Sequence, residues 1–288
     1  MSEADGTVLG LHTLRATAED SKQFNIVLLS DGFVTARLPQ FEADARAMVD
    51  HFLATPPFNK PPFSECFNVY RIDVSSLGGG ADKPLCAEPG GTGQRVRTYF
   101  DSTFCYDGQT QRLLYGNADL ARQVVSRFLR NWHQIMVIVD DPDYGGGGGD
   151  VAWFSRGSGD WKDVAIHEMG HSAFGLADEY DYGDVDHHPG GEPRQVNVSQ
   201  EPDPARVKWR SLVTAGPQVP TRANPDCTKT DPGPPATPAS TIGTFAGAKY
   251  HHCGLYRPSF DCKMRTTAKD FCRVCSEEIQ RVLRPFVV

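Results

Sequence analysis

The stretch "FNIVLLSDGF" at residues 24–33 indicates which kind of fold the chain adopts. It is a short apolar run that ends at a glycine turn, a pattern typical of a buried strand. The following stretch, "LPQFEADARAMVDHFLAT" (38–55), carries apolar side chains at helical spacing. A buried strand followed by an amphipathic helix is typical of α/β proteins.

The same alternation continues through the first half of the chain. "FNVYRIDVSS" (67–76) largely alternates apolar and polar residues, which predicts a half-buried strand. Residues 117–132 form an amphipathic helical pattern, and "HQIMVIVDD" (133–141) is almost wholly apolar at its centre. We therefore predict an α/β (α+β) fold with a mixed, mostly parallel twisted sheet.

Composition and charge exclude several classes of function. The 288 residues are 39% hydrophobic and 23% charged, with a formal net charge of −7. An acidic balance without a basic patch argues against a nucleic-acid partner. No apolar run approaches the roughly 20 residues of a membrane span. The first residues show no signal peptide, so we expect either a cytoplasmic protein or a secreted one whose leader has been removed.

Five consecutive glycines interrupt the alternation, in "DYGGGGGDVAWFSRG" (143–157). By composition alone, such a run is most often a flexible connector. The following "DVAWFSRG" has the mixed polar and apolar pattern of a strand at a sheet edge. An edge strand beside an active-site helix can pair with an extended peptide.

The stretch "WKDVAIHEMGHSAFG" (161–175) predicts a helix that ends at Gly175 and carries a metal site. His167 and His171 are four residues apart, so both imidazoles lie on one side of the helix. Two such nitrogens can bind one tetrahedral zinc ion. Glu168 lies near that ion without occupying a coordination position, where it can take a proton from a water molecule.

A catalytic zinc ion of this kind needs a third protein ligand. Metzincins supply it with the spacing H-x-x-G-x-x-H. This chain reads H-x-x-x-G-x-x-D, so one residue is added before Gly175 and Asp178 replaces the last histidine. Because the spacing from glycine to ligand is kept, Asp178 is the predicted third ligand. Glu179 is the nearest alternative, and His187 and His188 are weaker ones.

Two further candidates lie downstream of the histidines. Metzincins place a methionine-containing turn beneath the zinc, and Met264 in "DCKMRTTAKDFC" (261–272) fits that position. A hydrogen-bond donor to the oxyanion also stabilises the transition state of amide hydrolysis. Tyr256 is the candidate catalytic donor, with Arg257 as its alternative. A packed tyrosine in a turn fixed by Pro258 is an equally good interpretation of this segment.

The chain has eight cysteines, an even number that fits disulfides in an oxidising compartment. Four of them crowd the C-terminal end and offer a second, structural zinc site: Cys253, Cys262, Cys272 and Cys275. Only the last pair has the short spacing that such sites favour. Disulfides or buried thiols are therefore the favoured interpretation of this cluster.

Several ordered motifs resemble the bacterial IgA-peptidase family of zinc metallopeptidases. They are "HEMGHSAFGLADEY" (167–180), "NVSQEPDPARVKW" (197–209), "GTFAGAKYHHCGLYRPSFDCKMR" (243–265) and "FCRVC" (271–275). The resemblance runs from about residue 24 to the C-terminus. One departure is Ala246, which stands where an acidic residue is expected.

The resemblance implies a metzincin-like zinc endopeptidase. It implies His167 and His171 as ligands and Glu168 as general base, and it supports the assignments of Asp178 and Met264. From the sequence we expect none of the accessory domains that larger relatives carry. We therefore do not expect immunoglobulin A to be the substrate of this chain.

Together these patterns predict one catalytic domain: an N-terminal extension (1–23), a subdomain ending with the zinc-binding helix (24–175), and a loop-rich C-terminal subdomain (176–288). The C-terminal subdomain would hold the third ligand, the methionine turn and a terminal helix at 269–286. The predicted function is a zinc-dependent metalloendopeptidase that binds a protein or peptide in extended form.

Two alternatives to this function remain open. One is a zinc-dependent amidase acting on cell-wall material, because zinc and glutamate serve either kind of amide. The other is a non-catalytic, zinc-stabilised binding protein. The intact Glu168 argues against the binding protein, because a purely structural metal site has no use for a base at that position.

Overall fold

The computed structural model describes residues 5–182, 185–231, 233 and 236–287. The chain divides into two compact units. The first unit contains the chain up to Ala173 together with the C-terminal segment that starts at Leu283. The second unit contains Phe174–Val282. Within these described ranges, no helix is long and apolar enough to cross a membrane.

The first unit is built on a six-stranded sheet and three long helices. Its strands are β1 (Gly6–Arg15), β2 (Phe24–Asp31), β3 (Phe67–Ser76), β4 (Gln134–Val139), β5 (Gly146–Gly147) and β6 (Val151–Ser155). Its helices are α1 (Leu38–Ala54), α2 (Ala118–Phe128) and α3 (Trp161–Ser172). The strand order is β1-β3-β2-β4-β6-β5, with parallel pairing in the middle and antiparallel pairing at both edges. The predicted mixed sheet is confirmed.

The apolar character of β2 follows from its position inside this sheet. It pairs in parallel with β3 on one side and with β4 on the other, so that Ile26 lies beside both Val69 and Gln134. All of its residues are buried. A parallel strand covered on both faces cannot carry a polar face, which is why the sequence shows a continuous apolar run.

The N-terminal segment is part of the same sheet. Residues 6–15, which belong to the predicted N-terminal extension, form β1 and pair antiparallel with β3. The burial of β1 largely alternates between half-buried and exposed residues. This is the pattern of an edge strand with one face toward the core.

The helices pack with the apolar faces that the sequence predicts. In α1, the predicted stripe of Phe41, Ala45, Met48 and Phe52 is buried. Helix α2 begins after Asn117, whose side-chain oxygen accepts a hydrogen bond from the backbone N–H of Leu120 at 3.0 Å. This cap satisfies one of the donors left open at a helix start.

The second unit is dominated by loops, as predicted. Its three-stranded sheet has the order β7-β9-β8 and contains β7 (Val185–His187), β8 (Phe245–Ala248) and β9 (His251–Arg257). The chain's last long helix is α4 (Arg273–Leu283), which lies within the predicted range 269–286. Short 3-10 helices occur in the two units at Asp20–Lys22, Thr35–Arg37, Phe63–Glu65, Arg210–Leu212 and Arg284–Phe286.

A buried carboxylate at the end of β2 fixes the loop that follows β3. Asp31 is fully buried, and its Oδ1 accepts hydrogen bonds from Ser76 Oγ (3.1 Å) and the Phe100 backbone N–H (3.0 Å). Its Oδ2 accepts from the backbone N–H of Ser102 (3.2 Å) and from the hydroxyl of the same residue. Burial raises the pKa of Asp31 above its usual value.

We expect Asp31→Ala to lower the free energy of unfolding by about 2–4 kcal/mol, because several buried donors lose their acceptor at once. Chemical denaturation followed by circular dichroism measures the change. The control is Asp150→Ala, which removes a carboxylate that is 83% exposed and paired with Arg122 at 3.1 Å. That control should change stability little. Equal effects of the two substitutions would contradict the role given to Asp31.

Candidate metal centre

Helix α3 is held in the first unit by its apolar residues. The ring of Trp161 stacks on Phe154 of β6 with centroids 6.0 Å apart. Asp163 on the same helix lies 3.0 Å from Nε2 of His51 in α1. Every residue from Val164 to Gly170 is buried, including the polar His167 and Glu168.

The two predicted histidine ligands lie together on α3. Nε2 of His167 and Nε2 of His171 are 3.2 Å apart, and the two rings are almost perpendicular. Glu168 joins them, because one donor atom from each of the three residues lies within 4.8 Å of the others. His167 is 6% exposed and Glu168 9% exposed. The helix thus brings two imidazoles and a carboxylate into one small, mostly buried group.

The five glycines run alongside this group. A Cβ at Gly146 would lie 2.8 Å from Oε1 of Glu168, and one at Gly148 would lie 2.7 Å from Cβ of His171 and 3.0 Å from Oε2 of Glu168. A side chain at either position would collide with the site. The interpretation of this run as a flexible connector is therefore wrong: glycine allows the backbone to approach Glu168 and His171 closely.

The strand after the glycines is not an edge strand. Strand β6 lies between β4 and β5, with Phe154 opposite Gly146. Gly146 in turn accepts a hydrogen bond from the backbone N–H of Leu114 and donates one to the carbonyl of Arg112, both at 3.1 Å. The expectation that residues 151–155 present a free edge to a peptide is wrong, because β5 already occupies that edge.

Helix α3 ends at Ser172, slightly before the predicted end at Gly175. Gly175 has a φ of +61°, a left-handed conformation that glycine adopts without strain. Asp178 lies in the second unit, where its Oδ2 accepts a hydrogen bond from the Tyr250 hydroxyl at 2.9 Å. Its role as third ligand stays a prediction.

The nearest alternative ligand, Glu179, is engaged elsewhere in the second unit. Its side chain is fully buried, and Oε1 accepts hydrogen bonds from Asn197 Nδ2 (2.9 Å) and Cys275 Sγ (3.2 Å). Burial raises the pKa of Glu179 well above its usual value. The backbone N–H of Glu179 donates to the carbonyl of Met264 at 2.7 Å.

The two weaker alternatives lie around the small sheet of the second unit. His187 is exposed in β7, next to the disulfide between Cys227 and Cys253. Nε2 of His188 lies 2.9 Å from the carbonyl of Gly191. Neither arrangement supports His187 or His188 as a further ligand of a metal ion at His167 and His171.

Met264 lies in a tight turn, and its role in a methionine turn beneath a metal ion stays a prediction. The carbonyl of Cys262 accepts hydrogen bonds from the backbone N–H groups of Arg265 and Thr266, both at 2.8 Å. Met264 itself is fully buried. The turn is thus a fixed part of the second unit.

Tyr256 and Arg257 follow each other at the end of β9, where successive side chains point to opposite faces. The Arg257 guanidinium is fully buried and donates to the carbonyls of Ala246, Gly247 and Phe260. It therefore supports the backbone instead of offering donors to a substrate. Burial raises the pKa of Tyr256, so its hydroxyl keeps its proton at neutral pH.

The cysteines divide into disulfides and thiols. Two disulfides form, one between Cys86 and Cys105 and one between Cys227 and Cys253. The four-cysteine zinc site considered from the sequence is therefore wrong, because Cys253 is already bonded. The remaining members of that cluster are thiols, and each offers an Sγ within 4.8 Å of the others and of a Glu179 oxygen: Cys262, Cys272 and Cys275.

The sequence did not predict Glu179 as a partner of these cysteines. The spacing of cysteines along the chain carries no information about a glutamate brought in from another segment. The only available signal was its position next to Asp178 in "DEY", which suggested a role at the histidine site.

The chain was compared with known protein families and with curated proteins. The sequence model of the family described as IgA Peptidase M64 matches residues 13–231 and 234–283. This match covers nearly the whole chain, including α3, Asp178 and the Met264 turn. No curated protein matches the chain.

We expect Gly148→Ala to weaken the affinity of the histidine pair for added zinc by about 10–100-fold, because the new methyl group would displace His171 and Glu168. Competition with a chromogenic chelator measures the affinity. The matched control is Gly149→Ala, whose added Cβ meets nothing closer than 3.8 Å. Zinc affinity that is unchanged in both variants would show that the glycine backbone does not hold this site.

Proposed function

The chain belongs to the IgA Peptidase M64 family, and from that membership we propose that it is a zinc-dependent metalloendopeptidase with its catalytic centre on α3. Family membership makes it a peptidase, a hydrolase that acts on peptide bonds. The observation that carries the finer proposal is the separation of 3.2 Å between Nε2 of His167 and Nε2 of His171, with Glu168 in the same group.

The donor atoms of this group fit a zinc ion. Zinc binds imidazole nitrogen at about 2.0–2.1 Å, so two nitrogens at neighbouring corners of a tetrahedron lie about 3.3–3.4 Å apart. The observed 3.2 Å between the histidine nitrogens is close to that value. Two imidazole nitrogens this close together are a donor set that zinc favours.

The chemistry follows from these residues. Zinc, when bound, would lower the pKa of a water molecule and polarise the scissile carbonyl. The carboxylate of Glu168 would accept the proton of the attacking water and deliver it to the leaving amine. The backbone of Gly146 and Gly148 limits the movement of that carboxylate, because both glycines lie against its oxygens.

Asp178 is the third ligand that we propose. It keeps the glycine-to-ligand spacing of metzincins, and the hydroxyl of Tyr250 holds one of its oxygens. Glu179 is the weaker choice, because its buried carboxylate is bonded to Asn197 and Cys275. The turn at Met264 supports the same metzincin-like assignment.

Tyr256 is the proposed donor to the oxyanion. Arg257 is the weaker choice, because its buried guanidinium already donates to three backbone carbonyls. Burial raises the pKa of the Tyr256 phenol, which favours the protonated form that can donate. A donor of this kind stabilises charge that develops only in the transition state.

The substrate that we propose is a protein or peptide segment bound in extended form. Strand β6 is not available for pairing, but the backbone continues past β5 through Gly148 to the exposed Gly149. Gly148 lies directly beside Glu168 and its carbonyl accepts a hydrogen bond from the Tyr115 hydroxyl, so the backbone that we propose for pairing with an extended chain is that of the exposed Gly149. The immunoglobulin in the family's name is not carried over as the substrate.

The two disulfides favour an oxidising compartment as the place of action. Cys86–Cys105 and Cys227–Cys253 lie in different units, so each unit has its own cross-link. Disulfides of this kind persist in secreted or periplasmic proteins and are rare in the cytosol. We therefore propose that the peptidase works outside the cytosol.

We expect Glu168→Gln to keep the bound zinc and to lower kcat/KM for peptide hydrolysis by about 10²–10⁴-fold, because the amide cannot accept the proton. Elemental analysis and a peptide library read by mass spectrometry measure the two quantities. The control is Glu19→Gln, which changes an exposed carboxylate paired with Lys22 at 3.3 Å. It should leave both quantities unchanged.

Three results would contradict this proposal. Normal peptide hydrolysis by Glu168→Gln would remove Glu168 from the reaction. Hydrolysis of cell-wall amides but not of peptides by the unmodified chain would establish an amidase. Bound zinc without hydrolysis of any amide would establish a binding protein.

A further inference from the structure

The second unit contains a group of metal-ligand side chains that the peptidase chemistry does not use. It consists of Glu179, Cys262, Cys272 and Cys275, and we call it the thiol cluster. We propose that the thiol cluster binds a second zinc ion, which is structural and separate from the ion at His167 and His171. This site does not depend on the proposed catalytic function.

The distances within the thiol cluster suit one tetrahedral ion. Sγ of Cys262 and Sγ of Cys275 are 3.7 Å apart. Zinc binds thiolate sulfur at about 2.3 Å, which places two sulfurs at neighbouring corners of a tetrahedron about 3.8 Å apart. Oε1 of Glu179 lies 3.2 Å from Sγ of Cys275, compared with about 3.5 Å for an ideal oxygen–sulfur edge. The four donor atoms all lie within 4.8 Å of one another.

The carboxylate of Glu179 provides a second observation that points to a cation. The residue is fully buried, and its Oε2 has no hydrogen-bond partner among the described residues. A buried carboxylate oxygen without a partner carries a large desolvation cost. A cation bound between this carboxylate and three thiolates would offset that cost.

The surroundings of the thiol cluster hold its ligands in place. The backbone N–H of Cys272 donates to Sγ of Cys262 at 3.2 Å, and Asn197 donates to Oε1 of Glu179 at 2.9 Å. Hydrogen bonds of this kind orient metal ligands and increase their affinity. The positive charge of the buried Arg257 also acts on Glu179 and reduces the net negative charge of the group.

The thiols of the cluster are not a disulfide. The separation of 3.7 Å between Cys262 and Cys275 far exceeds the S–S bond length of about 2.05 Å. Four other cysteines in the same chain do form disulfides. Closely spaced thiols in an oxidising compartment oxidise unless something holds them, and a zinc ion does so because it has no redox chemistry of its own.

The donor set indicates both the metal and its role. Soft thiolates select zinc over magnesium or calcium, and four protein ligands leave no open position for a substrate. The ion would join the start of α4, the Met264 turn at Cys262, and the segment that carries Asp178 next to Glu179. It would therefore fix the backbone next to the proposed third catalytic ligand.

Zinc content of the full chain tests this inference. The unmodified chain is expected to hold about two zinc ions, and Cys272→Ser/Cys275→Ser to hold about one. His167→Ala/His171→Ala is expected to lose the other ion. The matched control is Cys66→Ser, which removes a buried thiol of the first unit outside the cluster and should keep both ions. Because the two double variants empty different sites, failure of one proposal is distinguishable from failure of the other.

A second measurement does not depend on the folding of the cysteine variant. His167→Ala/His171→Ala is loaded with Co²⁺ and is expected to show the intense near-ultraviolet absorption of thiolate-to-cobalt charge transfer. Thiol titration after unfolding in chelator is expected to find all four free cysteines. Absence of the thiolate band, or a thiol count lower by two because of a disulfide in the cluster, would overturn the proposal.

Discussion

The close approach of the glycine backbone to α3 is the constraint on which the candidate catalytic site depends. Helical spacing alone brings His167 and His171 together, but it does not fix Glu168. Gly146 lies so close to a Glu168 oxygen, and Gly148 so close to Glu168 and His171, that any larger side chain would displace these residues. Because β5 is also hydrogen-bonded to residues 112–114, this backbone is part of the sheet and holds the carboxylate from a fixed direction.

In the second unit, side-chain hydrogen bonds fix the position of the segment that carries Asp178 and Glu179, which has little regular secondary structure. Asp178 and Glu179 are neighbours, yet the first accepts a hydrogen bond from Tyr250 and the second is buried among Asn197 and the thiols. Tyr250 thus holds the side chain of Asp178, and Asn197 and Cys275 hold that of Glu179, so both neighbours are anchored within the second unit. The Met264 carbonyl adds a further bond to the same segment.

Local patterns predicted much of the fold and the core of the site. The apolar run of β2, the stripe of α1 and the four-residue spacing on α3 each depend on neighbours along the chain, so the sequence reports them directly. The role of the glycines, the pairing of Cys253 with Cys227, and the partnership of Glu179 with the thiols depend on contacts between distant segments. For the five glycines, composition predicted a flexible connector, which is wrong. A run of glycines is found both in flexible linkers and in backbone that packs closely against other groups, so composition does not distinguish the two.

Removal and return of zinc tests the central claim most directly, that the group on α3 is a catalytic zinc centre. Peptide hydrolysis by the full chain is followed after dialysis against a chelator and during titration with zinc. We expect activity to disappear with the metal and to return with zinc, and never to return in His167→Ala/His171→Ala. Full hydrolysis by the metal-free chain, or by that variant, would contradict the account.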